Sequence, residues 1–248
     1  MSLVAREAAP RALPVPVPRR AARFAWRAAA PQLIAVAFYA IAMAYVEAAA
    51  VLYLRTIYGG VDPVGTRHPA LLPVPDFVWI EIGREAATMV MLCSVAYLAA
   101  RTPLARLGAF AVAMGLWDIG YYVFLWLFSG WPDSLLASDV LFLIPLPWWG
   151  PVLSPVLVAA IVVAAGAGTV ARELGDGMLR PARSAVLAIA ASVMICLVAF
   201  MWTALAVLPN GIEAAYYARG GPFPWPIFLI GVAIGTFGLS RVLIRSSL

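Results

Sequence analysis

Six stretches of this chain are apolar over a length of roughly twenty residues, and no other feature limits its fold so tightly. They lie near residues 32–55, 78–100, 105–128, 149–171, 184–208 and 224–244. At 1.5 Å of rise per residue each reaches across about 30 Å of hydrocarbon. No water at that depth satisfies backbone N–H and C=O groups, so such runs are expected to be helices. The chain is therefore predicted to be an all-α integral membrane protein with six transmembrane helices. Composition agrees: 64% of the 248 residues are hydrophobic and 12% charged, against about 25% charged in a soluble domain.

Arginine sorts the loops. All seventeen basic residues are Arg. Six lie in residues 1–30, and others in the 101–106 turn, the 172–183 loop and the C-terminal end. The alternate loops are mixed or acidic: Asp62, Arg67 and Asp76, then Asp133 and Asp139, then Glu213 and Arg219. Positive-inside places both termini in the cytoplasm, N-in and C-in. Trp79, Trp126, Trp131, Trp148, Trp149 and Trp225 all fall at the opposite ends of the spans, as an aromatic belt would. Residues 1–30 are read as an Arg/Pro/Ala-rich cytoplasmic tail, partly disordered, and 31–246 as the six-helix domain. Pro14, Pro16 and Pro18 exclude a helix there, whereas Arg19 to Ala30 suits a short interfacial helix. The first apolar run is too long for a cleaved signal peptide, and the low serine content argues against an organellar transit peptide. A bacterial inner (plasma) membrane is the expected location.

One or two short outer interfacial helices are also expected. Segment 130–148 opens with Pro132-Asp133-Ser134, runs through Leu135 to Ile144 and stops at Pro145 and Pro147. It is too short to span, so it is predicted to lie in the outer interface or to re-enter as a helix carrying Asp139. Residues 211–219 form the second candidate, with Tyr216 and Tyr217. Ser154 and Pro155 predict a kink in span four, and Gly231-x-x-x-Gly235 predicts close packing of span six. Pro145 to Pro151 reads as a collar over the outer mouth or as an interfacial anchor.

Within this apolar frame, Glu47, Glu81, Arg84, Glu85 and Asp118 fall inside spans one to three, whereas spans four to six hold no charge at membrane depth, Arg241 belonging to the C-terminal end. An ionisable group at membrane depth costs roughly 2.5–3.5 kcal/mol on insertion scales, and such groups face partners or watery cavities. Counting along the helices puts Glu47 and Glu85 about 5–6 Å outward of mid-span, Asp118 near mid-span and Glu81 about 12 Å outward. Glu81, Arg84 and Glu85 project from one side of span two. Tyr121 and Tyr122 accompany Asp118. These residues and Asp139 are the candidates for binding or proton relay; no catalytic residue is assigned. One arginine neutralises one acid, so the other carboxylates need a proton or a cation.

Several classes of function are excluded or disfavoured. The single histidine, His68, lies in a loop, which argues against haem held by paired histidines and against His-rich copper or di-iron centres. Cys93 and Cys196 lie in apolar spans and make neither a disulfide framework nor a zinc site. No cofactor is expected. A carboxylate-bound divalent cation would suit the acids better than zinc or copper. No nucleotide loop, nucleophile elbow, HExxH or CxxC motif occurs. The positive charge reflects topology and not nucleic-acid binding. The bilayer is the evident partner.

Three readings of function remain. In the first, an outward-facing acidic pocket handles a proton, a cation or a small lipid-like substrate. In the second, the chain is a non-catalytic accessory subunit, its charges act as helix–helix staples, and spans four to six meet membrane-protein partners. In the third it is an intramembrane enzyme acting on a lipid or quinone.

Overall fold

The computed structural model describes residues 23–57, 75–218 and 220–245. Most of the proline-rich tail, His68, and the loop charges Asp62, Arg67 and Arg219 lie outside them. Six helices are long and apolar enough to cross a membrane. They are α1 (Trp26–Ile57), α2 (Pro75–Ala99), α3 (Pro103–Ser129), α4 (Leu153–Asp176), α5 (Arg183–Phe200) and α8 (Trp225–Arg245). Two short helices, α6 (Trp202–Val207) and α7 (Ile212–Tyr217), lie between α5 and α8. Helix α7 falls within residues 211–219, where the sequence predicts a second short helix.

Segment 130–148 is not a helix. Its centre forms strand β1 (Ser138–Phe142), paired antiparallel with β2 (Trp148–Pro151). Ser138 pairs with Pro151, Asp139 with Gly150, Val140 with Trp149 and Phe142 with Trp148, with an irregularity between Val140 and Phe142. About ten residues between prolines are too few to nucleate a stable helix. Pro145 and Pro147 cannot donate to a helical ladder, whereas between two strands they sit in the turn. The hairpin runs straight into α4 through Val152 N–H to Ala137 O (3.0 Å) and Leu153 N–H to Leu135 O (2.8 Å). Trp148 and Trp149 consequently pack inward and do not join an aromatic belt. Trp149 is 6% exposed, and Trp148 stacks on Phe200 at 5.8 Å. Trp79 and Trp126 do face outward.

Helix α3 is the centre of the first half, packed against α1, α2 and α4. Its small residues make this closeness feasible. A Cβ on Gly108 would lie 2.8 Å from Gly166 O, and one on Gly115 2.7 Å from Ala159 O. Helix α5 pairs with α8 in the same way, Gly231 and Gly235 facing Cys196 and Ser192. Replacing Gly166 with leucine, whose Cβ would overlap the Gly108 carbonyl, should destabilise the protein by about 1–3 kcal/mol. Gly83→Ala is the control. Nothing lies within 4 Å of that position, so the better helix former should stabilise slightly. Unfolding in detergent followed by tryptophan fluorescence would give the two shifts, expected to be of opposite sign.

Spans four and five differ from the sequence reading. Helix α4 starts at Leu153, so Ser154 and Pro155 fall in its first turn, where the missing N–H has no intrahelical partner to lose; no kink is needed there. It continues to Asp176, which brings Arg172, Glu173 and Asp176 onto a helix expected to carry no charge. Arg172 and Glu173 are 5% and 7% exposed. Helix α5 ends at Phe200, where Met201 interrupts it before α6.

That charged turn organises one end of the bundle. Glu173 accepts from Thr102 Oγ1, from Ala105 N–H (3.1 Å) in the first turn of α3, and from Leu179 N–H (3.0 Å). Arg172 donates to the Val242 carbonyl (2.9 Å) and to that of Leu243, in the last turns of α8. Asp176 accepts from Arg172 Nε (3.2 Å) and from Arg23 N–H (3.1 Å) just before α1. A carboxylate therefore sits at a helix N-terminus and a guanidinium at a helix C-terminus, the signs that the helix dipole favours. This arginine-rich end lies opposite the hairpin.

Candidate functional site

The charges of α1, α2 and α3 converge where these helices meet the hairpin. On α2 the spacing of Glu81, Arg84 and Glu85 puts all three on one face. Arg84 is the link: its Nη1 lies 2.7 Å from Glu47 Oε1 on α1, and its Nε donates to Glu81 Oε2 at 2.8 Å. Glu85, 6% exposed, accepts the backbone N–H of Leu143 at 2.9 Å. A carboxylate of α2 thus ties down the chain leaving β1.

Asp139 on β1 is 8% exposed. It lies 3.5 Å from Arg55 Nη2, near the end of α1, and accepts from Tyr122 Oη at 3.3 Å. The Arg55 guanidinium also stands over the Trp131 ring at 4.3 Å, a cation–π arrangement. Tyr121 and Tyr122 meet edge to face, their ring centroids 4.9 Å apart. From the other side Tyr216 on α7 reaches the hairpin turn, its hydroxyl 3.3 Å from Leu143 O and 3.2 Å from Pro145 O. Burial, and then the charge of Glu85, push the Tyr216 hydroxyl above its ordinary value.

Two carboxylates are left over. Asp118 receives no hydrogen bond or ion pair among the described residues, and it feels the charges of Glu47 and Asp139. Glu47 Oε2 is buried without a partner, its other oxygen being the one that meets Arg84. Among the described residues no three acidic, His or Cys side chains come close enough to hold a metal ion.

All eight candidates from sequence therefore fall into one region. Glu47, Glu81 and Arg84 form one ionic group; Asp139 and Tyr122 belong to a second. Glu85 anchors the hairpin, Tyr121 packs on Tyr122, and Asp118 stands one helical turn before Tyr122 on α3. Three contributors escaped the sequence reading. Arg55 had a visible signal, since it stands in the last turn of span one, at the end where arginine is otherwise sparse. Tyr216 lay in a segment noted only as interfacial. The Leu143 N–H had no signal, because a backbone donor becomes available only once the hairpin forms. Comparison with protein-family models, with curated proteins and with solved structures finds no match for this chain.

Proposed function

We propose that this is a multi-pass protein of a bacterial inner membrane whose α1–α3 cluster takes up a proton or a small monovalent cation from the hairpin side. The observation that carries this reading is the charge balance. Five carboxylates (Glu47, Glu81, Glu85, Asp118 and Asp139) gather around two arginines (Arg55 and Arg84). A group built only to join helices has no use for surplus acid in low dielectric. Asp118 and the free oxygen of Glu47 are the acceptors without a positive partner. The lack of a three-ligand convergence favours a proton or monovalent ion over a divalent metal. Arginine at the end opposite the hairpin supports cytoplasmic termini and an outward-facing cluster.

The test is uptake into proteoliposomes with a pH-sensitive or a sodium-sensitive dye inside, driven by an imposed proton or sodium gradient respectively. Wild type should respond to one of these. Asp118→Asn and Glu85→Gln should abolish the response while elution profile and helicity stay unchanged. Uptake equal to wild type in both variants would overturn the assignment. The staple reading also has an observation in its favour, since Arg84 bridges α1 and α2. It applies to that ion pair and does not account for Asp118.

A further inference from the structure

The face of α2 turned away from the acids carries a furrow of about 620 Å³ lined by Met89, Val90, Cys93, Ser94, Tyr97 and Leu98. Its floor is Cys93 and Ser94, small between bulkier neighbours, and Val90, Tyr97 and Leu98 are each at least 60% exposed. No other helix supplies a wall, so the furrow opens to whatever surrounds the bundle. Its length from Met89 to Leu98, about 14 Å at the helical rise, ends at the turn holding Arg101 and Arg106.

Among the described residues two arginines meet an aromatic ring and no acid, Arg241 near Phe237 (5.7 Å) and Arg106 near Tyr97. Arg55, Arg84 and Arg172 each have a carboxylate. Arg106 is instead held by its Nε on the Ala100 carbonyl (3.0 Å) and by its guanidinium carbon standing over Tyr97, 3.7 Å from the ring centroid. Its two terminal amino groups meet no acid among the described residues. The carboxylate that reaches the same turn, Glu173, is engaged by Thr102, Ala105 and Leu179. Arg101 beside it is exposed. An unneutralised guanidinium therefore caps an apolar furrow at the end of a span, where phosphate groups of a bilayer lie.

We propose that this furrow is a binding site for an anionic phospholipid, with one acyl chain along Met89–Leu98 and the phosphate on Arg106 and Arg101. Charge complementarity selects the occupant. Two arginines without acids call for an anion, the planar guanidinium fits phosphate oxygens, and the apolar furrow requires that the anion carry a hydrocarbon chain. The site is separate from the acid cluster and rests on membrane insertion alone.

Native mass spectrometry of the full chain, stripped in detergent and titrated with phosphatidylglycerol or phosphatidylcholine, tests it. Wild type should retain phosphatidylglycerol in preference to phosphatidylcholine. Each of Arg106→Gln and Arg101→Gln should weaken retention about fivefold, the effect of one arginine at a lipid surface. Arg106→Lys should fall between, keeping charge but losing the planar guanidinium. Ser94→Trp, which fills the furrow and leaves both arginines, should also release the lipid. Inorganic phosphate should not compete, because it lacks the chain. Equal retention of the two lipids, unchanged binding in Arg106→Gln, or full competition by phosphate would each overturn the proposal. Near-wild-type retention in Ser94→Trp would overturn the acyl-chain seat. An unchanged elution profile separates lost binding from lost folding, and Arg106→Lys supplies the comparison if Arg106→Gln is poorly behaved.

Discussion

Replacing Arg84 with methionine is expected to lower the unfolding free energy in detergent by about 3 kcal/mol, the low end of what breaking a buried ion pair costs. The side chain is 27% exposed, against 11% and 12% for Glu47 and Glu81, so solvent absorbs part of the loss. The physical cause is the two carboxylates left behind, not the missing cation. Glu47 has one oxygen already buried without a partner, and without Arg84 neither oxygen has one. Adding Glu47→Gln to Arg84→Met should therefore recover a substantial share of the stability, a positive coupling in a double-mutant cycle. Arg84→Lys should fall short of wild type, because a single ammonium cannot place separate donors on α1 and α2 with the geometry of the guanidinium fork. Chemical unfolding of the four proteins under one detergent condition measures the cycle. A fully additive double variant would show that Arg84 and Glu47 act independently, against the 2.7 Å contact.

Glu173→Ala should be at least as damaging, by about 3–5 kcal/mol, although it lies far from the candidate site. This carboxylate is 7% exposed and holds three donors from three places in the chain: Thr102, Ala105 and Leu179. Hydrogen bonds to a charged group contribute about 1.5–3 kcal/mol each, and leaving donors unsatisfied adds to the loss. The bonds are not additive, since Thr102 also accepts from Ala105 N–H at 3.2 Å and can keep part of the cap. Glu173→Gln should recover some stability by retaining an acceptor while losing the charge that suits the N-terminus of α3. Hydrogen exchange would localise the effect: protection should fall first in the opening turn of α3 and at Leu179. Uniform loss across all six helices, with no early opening there, would count against the capping role.

These two arginine–carboxylate systems differ in how far they could be read in advance. Glu47, Glu81, Arg84, Glu85 and Asp118 were legible because a charge inside an apolar run is anomalous wherever the run folds, and the spacing of the three α2 residues needs only the helical repeat. Arg172 and Glu173 were missed because they stand at the edge of an apolar run, where charge is ordinary and reads as topology. Only the extension of α4 to Asp176 makes them buried. The sequence points to the right region for Asp139 but to a helix where the structure has a strand. Its segment has the apolar content of a short helix, and what decides for a hairpin is the pairing of Val140 and Phe142 with Trp149 and Trp148, a contact between residues that no local pattern relates.

The sequence by itself determined six membrane-length helices, the collection of arginine at one end and the three helices whose apolar runs are interrupted by acids. These follow from the hydrocarbon thickness and the 3.6-residue repeat, which act on each segment separately. The tertiary structure alone decided that Arg55 neutralises Asp139, that Glu85 holds the hairpin through a backbone N–H, and that one turn of α4 serves the ends of α1, α3 and α8. Each of these joins groups distant in sequence, whose partnership depends on helix packing brought close by Gly108, Gly115 and Gly166, where backbones approach within the space a methyl group would need.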